Sequence, residues 1–205
     1  TLWIALVHNT YRAGRPACHH ASLMLRLGVS TLGHASSPAR QRALSPRKTV
    51  GAKYVYMTAK HSDGFALWPS VYRHGYNSMA TIGRDLFGEL MQALEGAGLN
   101  KGIFYEIEDY FNFGCSYAIN ASGSALSQRK CPWGGSDEGF PSGWAADYVK
   151  NTMIPELKDL VNRYEPHYLY ADGDWSGSDD FLQTKPFLSW LFNESPVKDF
   201  VVVND

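Results

Sequence analysis

Residues 155–175 read PELKDLVNRYEPHYLYADGDW, and the period of the pattern changes half-way along. Ile154, Leu157, Leu160, Val161 and Tyr164 recur at the three-and-four spacing of a helix that buries one face. This predicts a helix over residues 144–164. Pro155 either starts its regular part or kinks it, because proline offers no N–H to the preceding turn. HYLYAD, residues 167–172, then reads as a strand, with Asp172 and Asp174 where it runs out.

The same alternation continues on both sides. Residues 53–60 (KYVYMTAK) read as a strand ending near His61, with Tyr54 and Tyr56 on one face and Val55 and Met57 on the other. Residues 84–99 read as a helix with a Leu86, Leu90, Leu94 stripe, broken by Gly96 and Gly98. A second strand is predicted over residues 102–107, a further short helix over 181–192 and a fourth strand over 200–204. Residues 111–143, rich in Gly, Ser, Asn and Pro, form a connection longer than a compact domain usually carries without a use for it.

A β-α-β-α-β-α-β order predicts an α/β domain with a parallel sheet. Periodicity alone leaves an open doubly wound sheet and a barrel both possible. No G-x-G-x-x-G or Walker motif follows a strand, which lowers the nucleotide-binding option. Polar residues mark each strand end: His61 and Asp63, Glu106 and Glu108, Asp172 and Asp174, Asn204 and Asp205. Carboxylates and a histidine gathered at carboxyl ends of strands, beside Trp68, Tyr105, Tyr170 and Trp175, suggest a sugar site. Aromatic faces pack on the apolar side of a pyranose, and carboxylates act at the anomeric carbon.

Composition narrows the partners. A net charge of −1 on 205 residues gives no reason to expect nucleic acid. No apolar run approaches the ~20 residues that span a bilayer, so no membrane partner is expected. Charge is unevenly spread: residues 1–50 hold seven Lys and Arg and none of the 20 acids. That stretch shows no sustained period, and reads as a basic arm or, preferably, as a segment foreign to the domain at 51–205. Its opening LWIALV is short and lacks the basic flank of a signal peptide, and the chain is expected to be a piece of a longer protein. Cys18, Cys115 and Cys131 lack C-x-x-C spacing, so neither zinc nor a redox cofactor is expected. Cys115 and Cys131 flank a polar loop and can pair in an oxidising compartment. The sequons at Asn120 and Asn193 fit the same setting.

Four ordered blocks carry a family resemblance: GAKYVYMTAKHSDGFALWPS (51–70), GRDLFGEL (83–90), PELKDLVNRYEPHYLYADGDW (155–175) and FLSWLFNESPVKDFVVVND (187–205). They resemble the α-L-fucosidases of glycoside hydrolase family twenty-nine. The resemblance covers nearly all of 51–205, is weakest over 111–143 and does not reach 1–50. It implies a (β/α)8 TIM-type barrel, about half of it present here. It also implies removal of terminal α-L-fucose from glycoconjugates with retention, needing no cofactor, in a lysosomal or secreted setting. The family nucleophile is the first aspartate of an aromatic-x-Asp-Gly-acid-Trp motif, which falls on Asp172. Asp174 then reads as a turn residue, and Tyr170 stands where the family usually has Trp.

By the same resemblance His61 is the first histidine of a Lys-His-His-acid-Gly-Phe motif that binds fucose hydroxyls, with Ser62 replacing the second. Tyr105 and Trp68 are expected to contact sugar as well. Arg84 and Asp85 belong to a matching block but sit at a helix start, where Asp complements the macrodipole, and read as structural. The family's general acid is expected beyond Asp205, with Glu106, Glu108 and Asp109 as weaker alternatives. Expressed alone, the chain is expected to be inactive and poorly soluble. The competing expectation is a fucose-binding protein without turnover.

Overall fold

A computed structural model describes residues 4–7, 52–73, 75–109, 143–174 and 177–204. The disulfide candidates Cys115 and Cys131, the sequon at Asn120 and the aromatic at Trp175 lie outside the described residues.

Among the described residues the sheet has five strands in sequence order: β1 (Ile4–Val7), β2 (Tyr54–Lys60), β3 (Asn100–Glu106), β4 (Tyr168–Asp172) and β5 (Val202–Val203). β2 through β5 are parallel, as the alternation predicts. β1 departs from expectation. Part of the apolar opening forms a strand antiparallel to β2, pairing Ile4 with Met57 and Val7 with Tyr54. An extended apolar tetrapeptide satisfies an exposed sheet edge without needing a crossover helix.

Among the described residues six α-helices join the strands: α1 (Ser78–Ile82), α2 (Leu86–Gly96), α3 (Trp144–Tyr148), α4 (Ile154–Tyr164), α5 (Asp179–Leu182) and, directly after it, α6 (Thr184–Asn193). α2 starts where Asp85 Oδ1 accepts from the Gly88 N–H (2.8 Å), while Tyr164 O–H donates to Asp85 Oδ2 (2.8 Å). Asp85 therefore ties the start of α2 to the end of α4. Leu86, Leu90 and Leu94 are buried as their spacing predicts, joined by Phe87 and Met91. Pro155 falls in the first turn of α4, and the five residues before it, Val149–Met153, widen into a π-helical turn. Proline has no N–H for the preceding turn and its ring crowds that turn's carbonyl, so the helix relaxes by widening there. The single helix expected over 181–192 is two helices, because Gln183 adopts a left-handed conformation (φ 55°) between them.

The sheet's two faces differ. Val55, Met57, Ala59, Ile103 and Leu169 point towards the helices and form a fully buried core with Phe87, Leu94, Leu157 and Leu160. Fully burying each such side chain stabilises the fold by about 1.5–3 kcal/mol before conformational entropy is counted. The other face carries half-buried aromatics: Tyr56, Phe104, Tyr168 and Tyr170. Gly102 sits opposite Tyr56, and a Cβ there would lie 2.5 Å from that of Tyr56. The missing side chain lets the Tyr56 ring reach across β3 to Tyr168, 5.9 Å away.

Candidate active site

The carboxyl ends of β2, β3 and β4 converge. At the end of β2 the register slips between Thr58 and Lys60, so that Thr58 pairs with Phe104 and Lys60 with Tyr105. The extra residue sends two successive side chains, Ala59 and Lys60, into the core and returns His61 to the aromatic face. There His61 stacks on Phe104 (centroids 5.8 Å, 15°), and Phe104 stacks on Tyr170 (5.3 Å, 19°). Tyr56 lies parallel to Tyr170 at 5.9 Å, completing a floor of flat rings.

Asp172 stands at the edge of that floor, two residues after Tyr170 and on the same face. Its backbone is held from both sides. The Ile107 N–H donates to the Asp172 carbonyl (2.8 Å). Asn204 brackets Ala171, accepting from its N–H and donating to its C=O, both at 3.0 Å. Asn204 thus continues with its side chain the ladder that β5 starts with its backbone. Burial pushes the Asp172 carboxyl above its ordinary range, opposed by the Gly173 N–H (3.1 Å to Oδ1) and by His61. The Ser62 N–H donates to His61 Nδ1 (2.8 Å), and Ser62 Oγ is 3.0 Å from the same nitrogen, so Ser62 orients the ring.

Glu106 joins Asp172 at the strand ends. The two are register partners on adjacent parallel strands and share a face. Desolvation, with the Asp172 charge second, raises the Glu106 carboxyl to about 7; Lys60 opposes this. Gly173 accommodates Glu106: its φ is 88°, and a Cβ on it would lie 2.6 Å from Glu106 Oε1. Glu108 is half-buried, and its N–H donates to Glu106 Oε1 (3.3 Å). Asp174 is exposed.

Two expected sugar contacts are corrected. Trp68 and Tyr105 are both fully buried on the helix side of the sheet, where neither ring can lie against a ligand. Trp68 Nε1–H donates to Asp159 (3.0 Å), and Tyr105 O–H donates to Glu156 (2.7 Å). The alternation along β3 explains the error: Phe104, one residue earlier, holds the position on the open face that Tyr105 was expected to hold. Asp109 is likewise committed elsewhere. It is buried against Arg73 and lies 3.6 Å from Lys60 Nζ, so it is not a free acid. Tyr56, Phe104 and Asn204 were not singled out as binding or positioning residues. Only the face assignment of the strands points to the first two.

The α-L-fucosidase family model matches residues 43–205. The chain belongs to the α-L-fucosidase family. It is 37% identical over 160 residues to the tissue α-L-fucosidase of Rattus norvegicus, covering 77% of this chain and 30% of that protein. The α-L-fucosidase of Dictyostelium discoideum is 35% identical over 156 residues, with 76% and 30% covered. Among solved structures, an α-L-fucosidase of glycoside hydrolase family twenty-nine from Bacteroides thetaiotaomicron superposes with a TM-score of 0.60 at 27% identity. That match covers 80% of this chain and 33% of the other. A trapped covalent intermediate of the enzyme from the same organism with 2-fluoro-fucosyl fluoride superposes at 0.58, also at 27% identity, covering 80% and 34%. The chain therefore spans about a third of the length of the family members it matches.

Proposed function

We propose that this chain carries the nucleophile portion of a retaining α-L-fucosidase site, built at strand ends of a (β/α)8 barrel to which residues 51–205 contribute. Asp172 attacks the anomeric carbon of a terminal α-L-fucose while the glycosidic C–O bond breaks. The leaving oxygen takes a proton from a second carboxyl group, and water then hydrolyses the glycosyl-aspartate ester with net retention. The floor of Tyr170, Phe104 and Tyr56 supports the apolar face of the sugar. His61 hydrogen-bonds a fucose hydroxyl, and Ser62 orients it. The substrate is a fucosylated glycan or glycoconjugate, met in a lysosomal or secreted setting. Exposed Asn193 is the described acceptor for N-glycosylation.

The observation that carries this reading is the placement of Asp172. In a chain of this family it is the strand-end carboxylate beside both the stacked rings and His61. The test is mass spectrometry after incubation of the whole protein that carries this chain with 2-fluoro-fucosyl fluoride. A fucosyl adduct on the peptide holding Asp172, absent from Asp172→Asn, is expected. Fucose binding with no adduct at any concentration favours instead a binding protein without turnover, a reading to which Ser62 in place of a second histidine lends some weight.

A further inference from the structure

Two carboxyl groups end adjacent strands, and only one of them has an assigned task. Glu106 is 8% exposed and Asp172 is half-buried, and the backbone sets them side by side. Parallel neighbours lie about 4.8 Å apart, so register partners on one face bring their carboxyl groups close. Gly173 follows directly with a left-handed backbone (φ 88°), and the tip of the Glu106 side chain, Oε1, lies 2.6 Å from where a Cβ on it would stand. Among the described residues no cation is bonded to Glu106: Lys60 is the basic group acting on it, and Lys60 Nζ is taken by the Glu108 carbonyl (3.1 Å) and the Tyr148 hydroxyl (3.4 Å). Among the described residues the ionisable groups acting on Glu106 are Asp172 from β4, Lys60 from β2 and Glu108 from the turn after β3. Glu106 in turn acts on the Tyr170 hydroxyl.

We propose that Glu106 is a positioning residue for Asp172, a proton-holding neighbour that stays neutral while Asp172 is ionised and releases its proton when Asp172 is esterified. This rests on Asp172 being the nucleophile. The physical basis is that two close carboxylates in a half-buried site do not both ionise cheaply, so the protons leave in sequence. Burial raises the Asp172 carboxyl, while the Gly173 N–H and His61 favour its charge. Glu106 then titrates against an existing negative charge, at about 7. When Asp172 bonds to the anomeric carbon, its charge disappears and with it the repulsion holding the Glu106 proton.

Linkage makes the effect reciprocal. If esterification favours ionised Glu106, then ionised Glu106 favours esterification. A fluoride leaving group separates this from acid catalysis. Asp172 Oδ forms the C–O bond, the C–F bond breaks, and fluoride departs with the electron pair without needing a proton. The rate of trapping by 2-fluoro-fucosyl fluoride should therefore rise about threefold or more between pH 6 and pH 8, a fraction of the tenfold that one unit of coupling would allow. Glu106→Gln, which keeps the side chain's shape, should trap with a flat profile over that range.

A second measurement does not depend on turnover. Carboxyl carbon NMR on the whole chain should show Glu106 titrating lower in Asp172→Asn than in the unaltered chain. Identical pH profiles for the unaltered chain and Glu106→Gln overturn the proposal, as does a Glu106 titration that Asp172→Asn leaves unmoved. Absence of any adduct on Asp172 at every pH overturns the fucosidase reading itself, and the titration then still decides whether the two carboxyl groups are coupled.

Discussion

Two clusters of ionisable groups lie on opposite sides of the same strand ends, and they are built by opposite rules. On the helix side, Lys60, Arg73, Asp109 and Glu156 are fully buried, and each is answered by a partner. Arg73 pairs with both Asp109 and Glu156, while Ser70 and Tyr105 hydroxyls complete the Glu156 carboxylate at 2.6 and 2.7 Å. Tyr148 O–H donates to the Ile107 carbonyl (3.1 Å), fastening this cluster to the loop that leaves β3. On the aromatic side, among the described residues, no cation is bonded to Asp172 or Glu106: a backbone N–H reaches each, His61 acts on Asp172, and Lys60 and the Asp172 charge act on Glu106. Compensated buried charge holds the strand ends in place. Uncompensated, half-buried charge leaves a group whose protonation and reactivity a ligand can change.

Substitutions on the two sides should therefore separate activity from stability. The largest effect expected is on the open side. In the whole protein that carries this chain, Asp172→Asn should lower turnover of an aryl α-L-fucoside by about 10³-fold or more, as losing a nucleophile does. Its melting temperature should match or exceed that of the unaltered chain, because a poorly compensated charge has been removed. A melting temperature that falls along with activity would make Asp172 a structural residue and erase the contrast. On the helix side, Glu156→Ala leaves the Arg73 guanidinium buried with half its partners gone. It should cost about 3–5 kcal/mol in denaturant unfolding. A loss under 1 kcal/mol would mean that the cluster is solvated and not a brace.

Stability against pH sharpens the comparison. The folded-state pKa of Glu106, about 7, lies above its unfolded value near 4.5. The folded state therefore favours its neutral form, and stability is lost as pH rises from about 4.5 through 7. Glu106→Gln should match the unaltered chain near pH 4.5 and exceed it at pH 8 by about 1 kcal/mol or more, read by urea unfolding at both pH values. Parallel stability curves would contradict the unpaired state of Glu106. The smallest effect belongs to the scaffold away from either cluster. Asp85→Ala removes the α2 cap and the partner of the Tyr164 hydroxyl, and should cost about 1–2 kcal/mol with unchanged activity.

Much of this was legible before any coordinates. Periodicity located β2, β3, β4 and the long helices α2 and α4 between them, but not the short α1, since each of the former buries one face and repeats accordingly. Asp172 and Tyr170 share one surface because the period-two pattern of β4 puts them there, whereas His61 joins them only through the register slip after Thr58. The errors share a cause. Trp68 and Tyr105 looked like sugar platforms because aromatic rings serve equally as core and as binding surface. Which role each takes depends on a face assignment that a single extra residue can reverse. The slip after Thr58 is such a residue: it buries Lys60 and exposes His61, and no feature of KYVYMTAKH announces it. Gln183 presents the same difficulty, since a left-handed non-glycine residue has no local signature and splits one expected helix into two.

By itself the sequence determined β2, β3, β4 and the long helices α2 and α4, the parallel order from β2 onward, and the family, because local periodicity and ordered motif blocks are properties of residues near one another in the chain. Tertiary structure alone decided that Glu106 and Asp172 are neighbours, that Lys60 and Asp109 are spent on a buried cluster, and that Asn204 anchors the strand bearing Asp172. These residues stand 33 to 66 positions apart in Glu106–Asp172 and Ala171–Asn204, and 49 apart in Lys60–Asp109. Charge in a protein acts through distance and desolvation, and only the register of the strands and the packing of helices on them set those two quantities.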